Sequence, residues 1–119
     1  MQFIYQLYEG TYLHLAIELK GNQLWVHRNL HAFIFDKFPP EQVVDTVNNP
    51  KWESLCSFLE QQQWEKEYID PVIMDGSQWE MIYQSPTKKM KCYGCNEVPS
   101  NFSAFMKHID ALIKKGKNE

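Results

Sequence analysis

The sequence predicts an α+β fold, a mostly antiparallel sheet of about five to six strands in two meanders with two principal amphipathic helices. Three observations carry this. Leu13, Leu15, Ile17 and Leu19 alternate with Tyr12, His14, Ala16 and Glu18, the period of a strand with one buried face. Trp52, Leu55, Cys56 and Leu59 recur at i, i+3, i+4 and i+7, the stripe of a helix. Phe102, Phe105, Met106, Ile109, Leu112 and Ile113 repeat that helical stripe near the C-terminus.

Phe3–Tyr8 and Tyr12–Leu19 read as the first two strands. Lys20-Gly21-Asn22-Gln23 then supplies residues tolerant of the left-handed region for a tight hairpin into a strand around Leu24–Arg28. Ala32–Phe38 is apolar without a decisive period and is closed by Pro39-Pro40. Glu41–Val47, following those prolines, is expected as a short helix. Asn49-Pro50 is the strongest helix start, because asparagine accepts from orphan amides and proline at the first helical position loses no hydrogen bond. The helix should run from Pro50 to about Gln63, with Glu53, Ser57 and Glu60 outward and Phe58 at the edge of the stripe. Trp64–Ile69 alternates as a strand on which Glu65 and Glu67 share a face, Asp75-Gly76 reads as a turn, and Gln78–Gln84 and Lys89–Tyr93 complete a second meander. The last helix should span Asn101–Lys115, with lysines at the end favoured by its dipole.

A chain of 119 residues has room for one core, so a single domain over 1–119 is expected: an N-terminal meander (1–38), a helical segment (39–63), a second meander (64–95) and the C-terminal helix (99–115). Its 44% hydrophobic and 14% aromatic residues exclude disorder by composition. Met1 is followed by Phe3, Ile4, Tyr5 and Leu7 without a basic leader, and no apolar stretch reaches membrane-spanning length, so a cytoplasmic location without membrane contact is expected. Three cysteines fit a reducing compartment better than a disulfide framework.

Charge is strongly segregated. Residues 41–80 hold nine acids (Glu41, Asp45, Glu53, Glu60, Glu65, Glu67, Asp70, Asp75 and Glu80) against Lys51 and Lys66, a local charge of −7 within a chain of formal charge −3. Such a face repels phosphate backbones and attracts basic proteins. The bland reading is that the run only keeps the protein soluble. The sharper reading rests on grouping: Glu53 and Glu60 on one helix face and Glu65 and Glu67 on the next strand face would make a continuous anionic surface. The expected partner-binding residues are Glu41, Asp45, Glu53, Glu60, Glu65, Glu67 and Asp70.

Other chemistry is weakly encoded. Cys92-Tyr93-Gly94-Cys95 has the spacing of half a zinc site, but four ligands are needed and no second paired motif is present, so no metal and no cofactor are expected. A thioredoxin-like motif would open a helix directly, whereas Pro99 lies several residues beyond Cys95. His27 and His31 are four apart across what reads as a strand end, which does not align them for acid–base work, and His14 and His108 stand on polar faces. No nucleophile elbow, phosphate loop or H-E-x-x-H occurs, so no catalytic residue is assigned. Lys88, Lys89 and Lys91 are set against an acidic middle and a pI near 5.8, so nucleic acid is not an expected partner.

In the C-terminal third, Asp75-Gly76, Trp79, Gly94-Cys95-Asn96, Pro99, Asn101-Phe102 and Phe105 form the pattern D-G-x-x-W, G-x-N-x-x-P-x-N-F-x-x-F. Over Trp64–Ile113 this resembles small bacterial proteins, several of them similar to immunity proteins of polymorphic toxin and contact-dependent growth inhibition systems. The pattern is structural: glycine permits a turn, asparagine caps it, proline opens the helix and the phenylalanines dock it. Cys95 departs from the small polar residue expected there. The resemblance implies an immunity protein that binds and neutralises a cognate toxin, and the acidic block suggests that the toxin is a basic, nuclease-like domain. A small acidic binding or structural protein is the alternative, and a small enzyme comes third.

Overall fold

A computed structural model describes residues 1–72 and 76–114. Seven strands form one sheet: β1 (Gln2–Glu9), β2 (Tyr12–Lys20), β3 (Gln23–His31), β4 (Gln42–Asp45), β5 (Glu67–Ile69), β6 (Gln78–Ser85) and β7 (Lys88–Cys95). Two helices accompany them, α1 (Pro50–Glu60) and α2 (Phe102–Ile113). The spatial order is β4-β3-β2-β1-β6-β7-β5. All neighbours are antiparallel except β5 and β7. The fold class is therefore α+β, with more strands than expected.

The hairpins follow from their turn residues. Gly21 takes a φ of +64° between Lys20 and Gln23, which pair directly, so the expected two-residue loop is present. Residues 41–47 differ from expectation. Instead of a helix, Gln42–Asp45 add strand β4 to the edge of β3, with Val44 toward the core and Val43 outward. Alternating valines favour the pleated surface, and an open edge was available beside β3.

The second meander is also reordered. The strand expected over 64–69 is confined to Glu67–Ile69 and lies parallel to β7, outside it, because β6 is already flanked by β1 and β7. Since β5 pairs with Tyr93–Cys95, the outer side of Lys88–Lys91 has no strand neighbour among the described residues, and lysines are well suited to such an edge.

Alternation decides which side chains are buried. Phe3, Tyr5, Ile17, Leu24, Val26, Trp79, Met81, Tyr83, Met90 and Cys92 project to one face and join Trp52, Leu55, Leu59, Phe105, Ile109, Leu112 and Ile113 in the core. The rings meet edge-on, Phe3 against Trp52 at 5.7 Å and Tyr5 against Phe105 at 5.2 Å. Asn49 caps α1 as expected, its Oδ1 accepting from the amides of Lys51 and Trp52, but the helix stops at Glu60. Phe102 and Met106 are partly buried at the margin of the α2 stripe. That helix ends at Ile113, and Lys115 lies outside the described residues. Its C-terminal carbonyls meet a cation from elsewhere, since Arg28 donates to the carbonyl of Ile113 at 3.4 Å.

Candidate functional site

The glycine, tryptophan and asparagine pattern of the C-terminal third forms one interlocked structural unit. Trp79 Nε1 donates to the carbonyl of Glu97 at 2.8 Å, and its ring lies tilted against Phe102 with centroids 5.0 Å apart. Gly94 lies beneath that indole, and a Cβ added there would stand 2.2 Å from Trp79 Nε1. Gly76, at φ +140°, packs on Asn96, itself at φ +61° and bonded through its amide to the carbonyl of Ser77. Asp75 lies outside the described residues. Asn101 does not cap α2 with its side chain; its Oδ1 accepts from Trp64 Nε1 at 2.8 Å and its amide donates to Gln62.

The seven acidic positions divide into three groups. Glu41 and Asp45 flank and end β4, at one side of the sheet, while Glu65, Glu67 and Asp70 lie in and around β5 at the other. Six strand spacings separate those edges, about 29 Å at ~4.8 Å each. Glu53 and Glu60 are on α1. Glu65 precedes β5, so strand alternation does not align it with Glu67.

Several of these carboxylates serve the chain itself. Glu41 pairs with Arg28 at 2.6 Å, and Asp45 and Asp70 accept from the amides of Val47 and Val72, each at 3.0 Å. Glu60 accepts from Tyr83 and Thr87, each at 2.7 Å, and from Ser85, tying the end of α1 to the β6–β7 turn. These donors, Ser85 foremost, hold the Glu60 carboxyl below its usual range. Glu67 accepts from the Tyr93 hydroxyl at 2.6 Å, which pushes that phenol up.

Among the described residues, neither α-helix covers the opposite sheet face. Its side chains are the other half of each alternation: Ile4, Gln6 and Tyr8 on β1, Ala16, Glu18 and Lys20 on β2, Trp25 and His27 on β3, Glu80 and Ile82 on β6, and Lys91 and Tyr93 on β7. Register aligns Glu67, Tyr93, Glu80, Gln6, Ala16 and His27 in one row across six strands. Glu80 forms no ion pair among the described residues. Tyr8 is pushed above its usual range by burial and by the Glu80 charge. Most of this row escaped the sequence reading, although the polar half of the same alternation that marked the core would have assembled it.

One segment crosses this face. The chain after β3 forms a 3₁₀ turn at Phe35–Lys37 that covers Ala16 and His27, leaving them 3% and 5% exposed. Phe35 contacts the His27 ring edge-on at 5.3 Å, and His27 Nε2 donates to the carbonyl of Phe38 at 3.0 Å. A small cavity remains under the turn, lined by Gln6, Ala16, Ile17, Glu18, Lys20, Trp25, His27, Phe35 and Asp36.

The other chemical candidates are dispersed. Residues three apart on a strand face opposite sides, so Cys92 points into the core and Cys95 away from it. Burial pushes Cys92 and Cys56 up to about 11, which keeps both as thiols. Among the described residues no group of three or more His, Cys, Asp or Glu is placed to hold a metal ion. His27 and His31 lie in strand β3, four residues or about 13 Å apart along it. His14 bonds to Glu9 at 2.7 Å, and His108 rests on Phe58. No helix among the described residues is long and apolar enough to cross a membrane. Compared with protein-family models, curated proteins and solved structures, the chain matches none.

Proposed function

We propose that this chain is an immunity-type binding protein that neutralises a cognate toxin domain of basic, nuclease-like character inside the cell, acting without chemistry of its own. The uncovered sheet face is the observation that carries this reading. Half-buried Ile4, Tyr8, Trp25, Ile82 and Tyr93 alternate there with Glu18, Glu67 and Glu80, combining apolar contact area with carboxylates that attract a basic partner. Hydrogen-bonded strands of one sheet hold the row, so little ordering is needed on association. Glu65 and Asp70 border it beside β5, whereas Glu53 faces solvent from α1.

Glu41 and Glu60 favour the bland alternative for their own positions, because both are engaged within the chain. The test is affinity capture from the native host, using wild type and the double variant Glu67→Lys/Glu80→Lys. Wild type should retain a basic protein whose toxicity it abolishes, and the variant should lose most of that capture while melting like the parent. Equal capture by both proteins would remove the uncovered face from the interface, and the absence of any stoichiometric basic partner would remove the immunity reading.

A further inference from the structure

The cavity beneath the 3₁₀ turn has a composition that the covered core lacks. Its volume is about 30 Å3, close to the space of a single small polar head. Two acidic residues, Glu18 and Asp36, line it together with Trp25, Phe35 and Gln6. One cation belongs to the chain itself: Lys20 Nζ lies 5.0 Å from the centre of the Trp25 ring and 3.7 Å from Glu18. Asp36 makes no ion pair among the described residues. The cavity thus carries two negative charges against one positive charge, with an aromatic surface already in use for a cation.

His27 adds an acceptor. The Phe38 carbonyl can only accept, so Nε2 carries the proton of that bond, and in the imidazole tautomer with that single proton Nδ1 is an acceptor. Carboxylates, an imidazole acceptor, an amide oxygen and aromatic faces are together the partners of an ammonium group. A guanidinium is a wide, planar fork, whereas an ammonium is compact and close to water in size.

We propose that this cavity is a seat for a lysine side chain of the protein partner, with Lys20 holding its rim in the free protein. The seat rests on the reading of the uncovered face as a binding surface, and names the chemistry that this face recognises. An incoming ammonium would take the place beside Asp36, Glu18 and Trp25, and Lys20 would swing outward from the exposed hairpin end of β2.

The test uses the purified chain and three blocked peptides, Gly-Lys-Gly, Gly-Arg-Gly and Gly-(acetyl-lysine)-Gly, followed by amide and indole NMR shifts. The lysine peptide should shift the Trp25 indole, His27 and Gln6 selectively, with weaker shifts for arginine and none for acetyl-lysine. Asp36→Asn should weaken the lysine peptide about threefold to fivefold, the scale of one partly exposed charge contact. Lys20→Met should tighten it by a similar factor, while Lys91→Met, which removes the same charge elsewhere on the face, should change it less. Arginine binding as well as lysine, shifts spread over the acidic surface, or equal effects of Lys20→Met and Lys91→Met would each overturn the seat. Host capture separates the two claims. A partner held equally by wild type and Asp36→Asn leaves the immunity reading in place and removes the seat, whereas selective peptide shifts with no captured partner keep the seat and remove the immunity reading.

Discussion

On the covered side of the sheet, Phe3, Tyr5, Met81 and Tyr83 are at most 1% exposed and lie beneath two helices. On the other side, Ile4, Tyr8 and Ile82 come from the same strands but from the alternate register rows, and with Tyr93 of β7 they remain half-buried. The difference is one of neighbours rather than of local structure. Helices α1 and α2 fill the first face with apolar surface, while among the described residues the second is crossed by the short turn at Phe35–Lys37. A side chain's position along the strand therefore assigns it to the core or to the open face, and under the proposed function changes one residue apart should have opposite signatures.

The largest expected effect is on the covered face. Phe105→Ala removes a fully buried ring that contacts Tyr5, Trp64 and Phe102, and should cost about 3–5 kcal/mol in a denaturant melt. That is a large share of the roughly 5–15 kcal/mol stabilising a typical domain, so binding should be lost through unfolding. A variant that melts like the parent yet fails to capture a partner would move the interface to α2. Gly94→Ala should follow at about 1–3 kcal/mol, because its Cβ collides with the Trp79 indole and the Glu97 carbonyl. An unchanged melting temperature would show that this indole yields easily.

Glu60 sharpens the comparison in another way, being an acid recruited by the fold. Its folded carboxyl is held below the usual value of about 4.3, so its stabilisation is present above that pH and is lost as pH falls through the lower folded value. Glu60→Gln should melt below wild type at pH 7, with the gap closing as the pH drops beneath about 4.3. A gap independent of pH would show that the amide replaces the carboxylate's bonds to Tyr83, Ser85 and Thr87. The smallest stability effect belongs to Glu67→Lys/Glu80→Lys, expected within about 0.5 kcal/mol of wild type. The same pair should slow partner association most strongly at low salt. A substantial loss of stability there would mean that the uncovered face also holds the fold together.

The helix at Asn49-Pro50, the Gly21 hairpin and both apolar stripes were legible because each depends on interactions within a few residues: a cap, a permitted φ, a repeat of 2 or 3.6. Residues 41–47 were misread because Gln42–Asp45 becomes a strand only when the β3 edge lies beside it. The acidic block was visible as a charge run, but chain order says little about distance across a sheet. Glu41 and Glu67 end at opposite edges, while Glu18 and Glu80, sixty-two positions apart in number, both reach the face that also carries Gln6.

The sequence by itself determined the class of fold, the alternation that separates a core face from a polar face, and the negative charge of the middle segment. These follow from side-chain period and composition, which need no distant contact. Tertiary structure alone decided that β5 lies outside β7, that Glu41 and Glu60 are engaged by Arg28 and by Tyr83, Ser85 and Thr87, and that the turn at Phe35 roofs His27. Each of those depends on which strand edges and polar groups remain unpaired once the core has formed, and pairing between segments far apart in the chain is settled by that competition.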